Sequence, residues 1–117
     1  MINLVRLYRS FKFAFRGLIS LIRKEQNFRV HLISSVAIIF VGLYFEIKVW
    51  QWCLVILMIA IVLILEILNT IMERMVDMLQ PRIHHYAGEI KDMMSGVVLV
   101  AAITSVIIAL LIFIPYF

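Results

Sequence analysis

Long uncharged runs alternate with short polar segments along this chain. No Asp, Glu, Lys or Arg lies within residues 30–45, 49–65 or 93–117. A membrane-spanning helix needs about 20 mostly apolar residues, and flanking polar residues at the interface can extend a shorter run. The pattern therefore predicts three transmembrane helices, over 28–47, 49–79 and 88–116. A tight turn joins the first two, and Gln80-Pro81 ends the second because proline breaks a helix.

The first 27 residues follow another pattern, in which basic and apolar side chains both recur at spacings of three and four. The basic set is Arg6, Arg9, Lys12, Arg16, Arg23 and Lys24, and the apolar set is Leu4, Tyr8, Phe11, Phe15, Leu18 and Ile22. This is typical of a helix that lies in the membrane interface. We therefore predict an all-α integral membrane fold: one domain over 1–117, with a surface helix at 1–27 before the three spans.

Composition and charge agree with a membrane location. The chain is 65% hydrophobic and 15% charged, with a mean hydropathy of +1.09, which excludes a typical soluble domain. A net charge of +4 is compatible with nucleic-acid binding. The basic residues border apolar spans, however, so we expect them to contact anionic lipid headgroups and expect no nucleic-acid partner. Seven Lys or Arg precede the uncharged run 30–45 of the first span, and the first hairpin has only Lys48. The positive-inside rule predicts a cytoplasmic N-terminus.

Three acids lie at the end of the second span, where each needs an explanation. On a helix, Glu66, Glu73 and Asp77 fall within roughly 40° of one another, with Asn69 on the flank. A charged side chain in the bilayer costs about 2.5–3.5 kcal/mol on insertion scales. For Glu66 alone, a proton or ion relay, an interhelical lock and a reaction site remain open.

Further charged residues are expected in the same layer near the cytoplasmic headgroups. Glu25 ends the surface helix, and Lys91-Asp92 opens the third span. Carboxylates for Mg²⁺, cations for phosphates and a base for a hydroxyl are what phosphoryl transfer from ATP requires. The chain has no GxxxxGK[ST], HRD or DFG motif, so any use of ATP would lie outside the soluble kinase and NTPase folds.

At these residues the chain resembles the prokaryotic diacylglycerol kinases, including the related undecaprenol kinases. The matching segments are Ser10–Leu18, Glu25–His31, Glu66–Thr70 with Glu73 and Val76-Asp77, and Lys91-Asp92 followed by Ser95–Leu99. They occur in the family's order and spacing and cover nearly the whole chain. The resemblance implies a homotrimer in the bacterial cytoplasmic membrane, with active sites shared between subunits. The segment 27–31 looks more like the undecaprenol kinase branch, so undecaprenol is favoured over diacylglycerol as acceptor.

The resemblance also implies roles for individual residues. Glu66 would be the catalytic base, and the lipid would contact Glu66, Asn69 and Ser95. Glu25 and Glu73 would hold Mg²⁺. The ATP site would comprise Arg6, Phe13, Glu25, Glu73, Asp77, His84, Lys91 and Asp92, where Phe13 stands in place of the tyrosine of some members.

Simpler explanations exist for several of these residues. Arg6 suits a headgroup contact, Asp77 a solvated helix end and Lys91-Asp92 a solvated helix start. His84 and His85 are adjacent, so they do not share a helix face as metal ligands would. A non-enzymatic membrane subunit or ion relay is therefore the alternative, and it predicts that the layer of Glu25, Lys91 and Asp92 is dispensable.

Overall fold

A computed structural model describes residues 1–82 and 84–117, apart from the side chain of His84. Four helices follow in order: α1 (Leu4–Lys24), α2 (Gln26–Phe45), α3 (Val49–Leu79) and α4 (His84–Phe113), with a 3-10 turn at Ile114–Tyr116. The described residues contain no strand. Three of the helices, α2, α3 and α4, are long and apolar enough to cross a membrane. The predicted fold class is confirmed: an N-terminal helix precedes three candidate spans.

A sharp corner at Glu25 separates α1 from α2. Glu25 has extended backbone angles, φ −110° and ψ 111°, so it ends one helix and precedes the next. The Arg29 guanidinium donates from Nη1 to the carbonyl oxygens of Ile22 at 3.0 Å and Arg23 at 2.9 Å. The last carbonyls of a helix have no partner within it. Arg29 therefore stabilises both the end of α1 and the direction in which the chain leaves it.

The bounds of three helices differ from the sequence prediction, and only those of α3 agree with it. The surface helix covers Leu4–Lys24, where the prediction had 1–27. The first span begins at Gln26 and ends at Phe45, where the prediction had 28–47, because Glu46 adopts a left-handed conformation with φ 50° and closes the helix. The third begins at His84, where the prediction had 88. Gly88 has no positive φ and continues the helix, and Ala87 before it is buried. Residues 84–87 are therefore helical although three of the four are polar.

Aromatic and aliphatic side chains close the bundle at the α2–α3 hairpin. Ile47, Val55, Ile112 and Phe113 form the buried cluster, with Phe45, Trp52 and Tyr116 packed on it. Phe45 makes an edge contact with Phe117, with ring centroids 5.0 Å apart. The Tyr116 hydroxyl donates to Oε1 of Gln51 at 2.7 Å, which satisfies a buried amide. This end holds the three spans together away from the acids.

The buried face of α3 determines where the acids point. Its buried residues are Gln51, Val55, Val62, Glu66, Asn69, Thr70 and Val76. Most of these recur at spacings of three, four and seven, which places them on one side of a helix. Helix α3 packs most extensively on α4 and next on α2. Glu66 and Asn69 therefore face the interior of the bundle rather than the surrounding lipid.

Candidate active site

Glu66 is the most deeply buried acid of the chain's described part. The residue is 3% exposed, and its Oε2 lies 3.5 Å from Nε2 of His31 on α2. Glu25 and Glu73 also lie close enough to act on it electrostatically. Two like charges near a buried carboxylate make its ionised form costly, and contact with an imidazole offsets part of this cost. The carboxylate is therefore held in place in a position where water has little access.

Asn69 provides a buried polar group without a partner. The residue is 6% exposed, and its Oδ1 has no hydrogen-bond donor among the described residues. Thr70 beside it is satisfied, since its hydroxyl donates to the Glu66 carbonyl at 3.2 Å. Leaving a buried acceptor unpaired costs about 1–3 kcal/mol, so such atoms often mark a place where a ligand binds. Asn69 lies one helical turn from Glu66, on the same buried face.

Glu25 connects the α1–α2 corner to α3. Its Oε1 accepts a charge-assisted hydrogen bond from Nη2 of Arg74 at 3.1 Å. Both side chains are partly exposed, so the pair contributes little to stability, within about 1 kcal/mol. The contact nonetheless brings a carboxylate from the α1–α2 corner to the part of α3 that carries Glu73.

A second ion pair joins α3 to α4. Lys91 Nζ lies 2.6 Å from Oδ1 of Asp77, and Glu73 is close enough to interact electrostatically with the same ammonium group. Exposure rises along the acidic face of α3: Glu66 is buried, Glu73 is half-buried and Asp77 is exposed. The site therefore extends from the interior of the bundle to a charged surface layer.

The acids do not form a complete metal cage. Among the described residues, no group of three or more His, Cys, Asp or Glu side chains is arranged to hold a metal ion. Mg²⁺ is usually held by one or two carboxylates together with substrate phosphates and water. Glu25 and Glu73, two partly exposed carboxylates that both act on Glu66, fit this kind of site.

The other residues predicted from the sequence lie at the margins of this layer. Phe13 lines a groove of about 320 Å³ between α1 and α3, together with Thr70 and Arg74. Arg6 is exposed on the first turn of α1, where its backbone N–H donates to Asn3 Oδ1. Asp92 and Ser95 are exposed on α4. The side chain of His84 lies outside what the structure describes.

Two residues of the site were not assigned to it from the sequence. His31 was part of the matching segment Glu25–His31 but was given no role there, and Arg74 was given none. Their roles follow from contacts with Glu66 and Glu25, which are 35 and 49 residues away in the chain. A weak signal was available for Arg74, since it is the one basic residue within the acidic segment 66–77.

The comparison with known families agrees with this geometry. A family profile described as prokaryotic diacylglycerol kinase matches residues 12–113, which is most of the chain. The chain belongs to this family. The match includes both helices that carry the acids and the corner at Glu25.

Three relatives of the chain have the name undecaprenol kinase or diacylglycerol kinase. The chain is 38% identical to an undecaprenol kinase of Bacillus subtilis over 113 residues, covering 97% of this chain and 92% of that protein. It is 34% identical to a diacylglycerol kinase of Synechocystis, over 85% of this chain and 57% of that protein. It is 28% identical to a diacylglycerol kinase of Escherichia coli, over 87% of this chain and 84% of that protein.

Proposed function

We propose that this protein is an integral-membrane lipid kinase that transfers the γ-phosphoryl group of Mg·ATP to the hydroxyl of a membrane lipid alcohol. The observation that carries the proposal is the position of Glu66. It is a carboxylate buried among apolar helices, yet close to the partly exposed acids Glu25 and Glu73. A lipid hydroxyl and a hydrated nucleotide phosphate meet only at such a boundary.

Glu66 acts as the general base in this proposal. It accepts the proton of the lipid hydroxyl as that oxygen forms a bond to the γ-phosphorus and the bond from phosphorus to the β–γ bridging oxygen breaks. A base contributes about 10²–10⁴-fold when it lies within hydrogen-bond reach of the proton. Asn69 and Ser95 bind the acceptor. The unpaired Oδ1 of Asn69 supports a ligand there, because a polar group of that ligand would satisfy it.

Glu25 and Glu73 hold Mg²⁺, which when bound would neutralise charge on the phosphates of ATP. Lys91 then binds phosphate oxygens, and Asp77 keeps its ammonium group near Glu73. Asp92, Arg6, Phe13 and His84 complete the nucleotide site on the family's pattern. The exposed position of this layer suits a nucleotide that arrives from water.

We favour undecaprenol as the acceptor, with diacylglycerol as the alternative. Two of the reported relatives are covered over more than four-fifths of their own length, and of these the one named undecaprenol kinase is the more similar, at 38% against 28% identity. We also propose that the protein is a homotrimer in the bacterial cytoplasmic membrane. Its N-terminus lies in the cytoplasm in this proposal, since six basic residues precede α2 and Arg29 lies in its first turn.

The experiment uses purified protein in mixed micelles with radiolabelled ATP, Mg²⁺ and either undecaprenol or diacylglycerol. We expect phosphorylation of the lipid, with undecaprenol the better acceptor by kcat/KM. Glu66→Gln keeps the size of the side chain and should lower kcat by about 10²–10⁴-fold. Glu46→Gln is the matched control and should leave kcat unchanged. Glu46 is an exposed acid that follows the last residue of α2, at the end of that helix far from Glu25.

Three results would contradict parts of this proposal. If the folded wild-type protein phosphorylated neither lipid, the kinase function would be wrong and a non-enzymatic membrane role would replace it. Equal activity of wild type and Glu66→Gln would remove Glu66 as the base. A clear preference for diacylglycerol would change the acceptor and leave the reaction class in place.

A further inference from the structure

His31 lies between Glu66 and a cavity within the membrane-spanning part of the bundle. The cavity has a volume of about 270 Å³ and lies among α2, α3 and α4. His31 and Ser35 line it from α2, Val62 from α3 and Ser105 from α4. Val62 precedes Glu66 by one helical turn. On α3 the cavity therefore comes within one helical turn of Glu66, on the side away from the exposed acids, and His31 both lines the cavity and contacts the carboxylate.

His31 on α2 contacts the carboxylate of Glu66 on α3. Nε2 of His31 and Oε2 of Glu66 are 3.5 Å apart, and the two side chains are 24% and 4% exposed. The other charged groups that act on Glu66 are Glu25 and Glu73, which both repel it. Among the described residues, His31 is thus the neighbouring side chain that attracts the Glu66 carboxylate.

The imidazole is itself held by a rigid element. His31 belongs to the second turn of α2, which continues without a break to Phe45. Arg29, two residues earlier, anchors the beginning of α2 to the carbonyls that end α1. A side chain on a supported helix can define the direction of its partner much better than one on a loop.

From these contacts we propose that His31 is a positioning residue, which directs the Glu66 carboxylate toward the cavity so that the lipid hydroxyl reaches the base from the membrane interior. The inference rests on the proposed lipid kinase function and assigns a residue that acts through Glu66. The hydroxyl groups along this path do not compete for the base, because those of Ser34 and Ser35 donate to backbone carbonyls of Val30 and His31.

The test compares His31→Leu, His31→Gln and His31→Asn by steady-state kinetics in mixed micelles. Leu has no donor, Gln places an amide N–H near the position of the imidazole Nε2, and Asn is one methylene shorter. A misplacement of about 1 Å at a reacting group can cost 10²-fold. We therefore expect kcat to fall by about 10–100-fold in His31→Leu and to recover to within about fivefold in His31→Gln. His31→Asn should remain as slow as His31→Leu.

A purely structural role for His31 would also change the KM for Mg·ATP, because loss of packing would disturb the whole site. Positioning predicts that the KM for Mg·ATP stays within about twofold of wild type, since the nucleotide site lies in another layer. Ile33→Leu is the matched control, because Ile33 is an exposed residue of α2 close to His31 and is not among the residues that line the cavity; its kcat should not change. Unfolding in detergent verifies that each variant is folded, and if His31→Leu does not fold, the comparison of Gln with Asn decides.

Two variants on α4 test whether the lipid reaches Glu66 through the cavity. Ser105 lines the cavity, whereas its neighbour Thr104 is exposed; both hydroxyls donate to carbonyls of their own helix, at 2.8 Å. Ser105→Leu should raise the KM for the lipid by about fivefold or more, because the larger side chain fills part of the cavity. The KM for Mg·ATP should not change. Thr104→Leu should change neither constant. Equal lipid KM values in the two variants would exclude the cavity as the path.

Failure of this inference is distinguishable from failure of the proposed function. Wild-type protein that phosphorylates no lipid refutes both. Active wild type with an unchanged kcat in folded His31→Leu refutes the positioning role alone. So does a His31→Gln variant that is as slow as His31→Leu, or a loss that appears in the KM for Mg·ATP.

Discussion

Replacement of Gly42 by alanine isolates the cost of close packing at the hairpin end of the bundle. Gly42 is a buried residue of α2, and a Cβ built on it would lie 2.7 Å from Cη2 and 3.0 Å from Cζ2 of Trp52. Carbon atoms normally approach to about 3.5–4.0 Å. The Trp52 ring is packed against the buried cluster that contains Ile47 and Phe113, so it has little room to withdraw.

Two opposing terms determine the magnitude. Overpacking of this kind costs about 1–3 kcal/mol, whereas Gly→Ala within a helix gains about 1 kcal/mol of helix propensity. Gly42→Ala should therefore be destabilised by about 1 kcal/mol net. Gly17→Ala is the matched control, since Gly17 is helical and nothing lies within 4 Å of its built Cβ. It should gain the helix propensity alone, so the two variants should differ by about 1–3 kcal/mol.

The assay is reversible unfolding of both variants in mixed micelles with increasing SDS, followed by circular dichroism and tryptophan fluorescence. Equal stability of Gly42→Ala and Gly17→Ala would refute the close contact with Trp52. Lipid phosphorylation should persist in folded Gly42→Ala, because Gly42 is eleven residues along α2 from His31, about 16 Å away by helical rise.

Two further predictions concern the charged layer. Lys91→Met removes the cation paired with Asp77 and should raise the KM for Mg·ATP about tenfold or more with a smaller change in the KM for lipid, which steady-state kinetics would measure. A larger rise in the KM for lipid than in the KM for Mg·ATP would instead show that Lys91 binds the lipid acceptor. Glu73→Gln keeps the side-chain size and should raise the Mg²⁺ concentration needed for half-maximal activity about tenfold, as measured by titrating Mg²⁺ at fixed ATP. An unchanged Mg²⁺ requirement would remove Glu73 from the metal site.

Local features of the fold were predictable because they depend on residues close together in the chain. The apolar runs and their lengths specify three spans whatever their neighbours are, and the charge pattern of residues 1–27 specifies a separate helix. The start of α4 was not predicted correctly. Its first turn is mostly polar and Gly88 follows directly, yet Ala87 is buried and the helix extends back to His84.

The candidate site could be predicted only in part from the sequence. Helical spacing placed Glu66 and Glu73 on one stripe, and the order of burial along α3 follows from the distance of each acid to the helix end. No local pattern indicated that Glu25 pairs with Arg74 or that Lys91 pairs with Asp77. These pairings depend on the rotation of each helix about its axis and on the crossing of one helix over another.

By itself, the sequence determined that this protein has three apolar spans, a basic surface helix and a stripe of acids at the end of α3, since helical periodicity and hydropathy are local properties. Only the tertiary structure decided which groups meet that stripe. Packing of α2 against α3 brings His31 within 3.5 Å of Glu66. The packed bundle also leaves Oδ1 of Asn69 buried without a donor among the described residues. The physical reason is that burial and contact between helices depend on how their faces pack, which no single segment encodes.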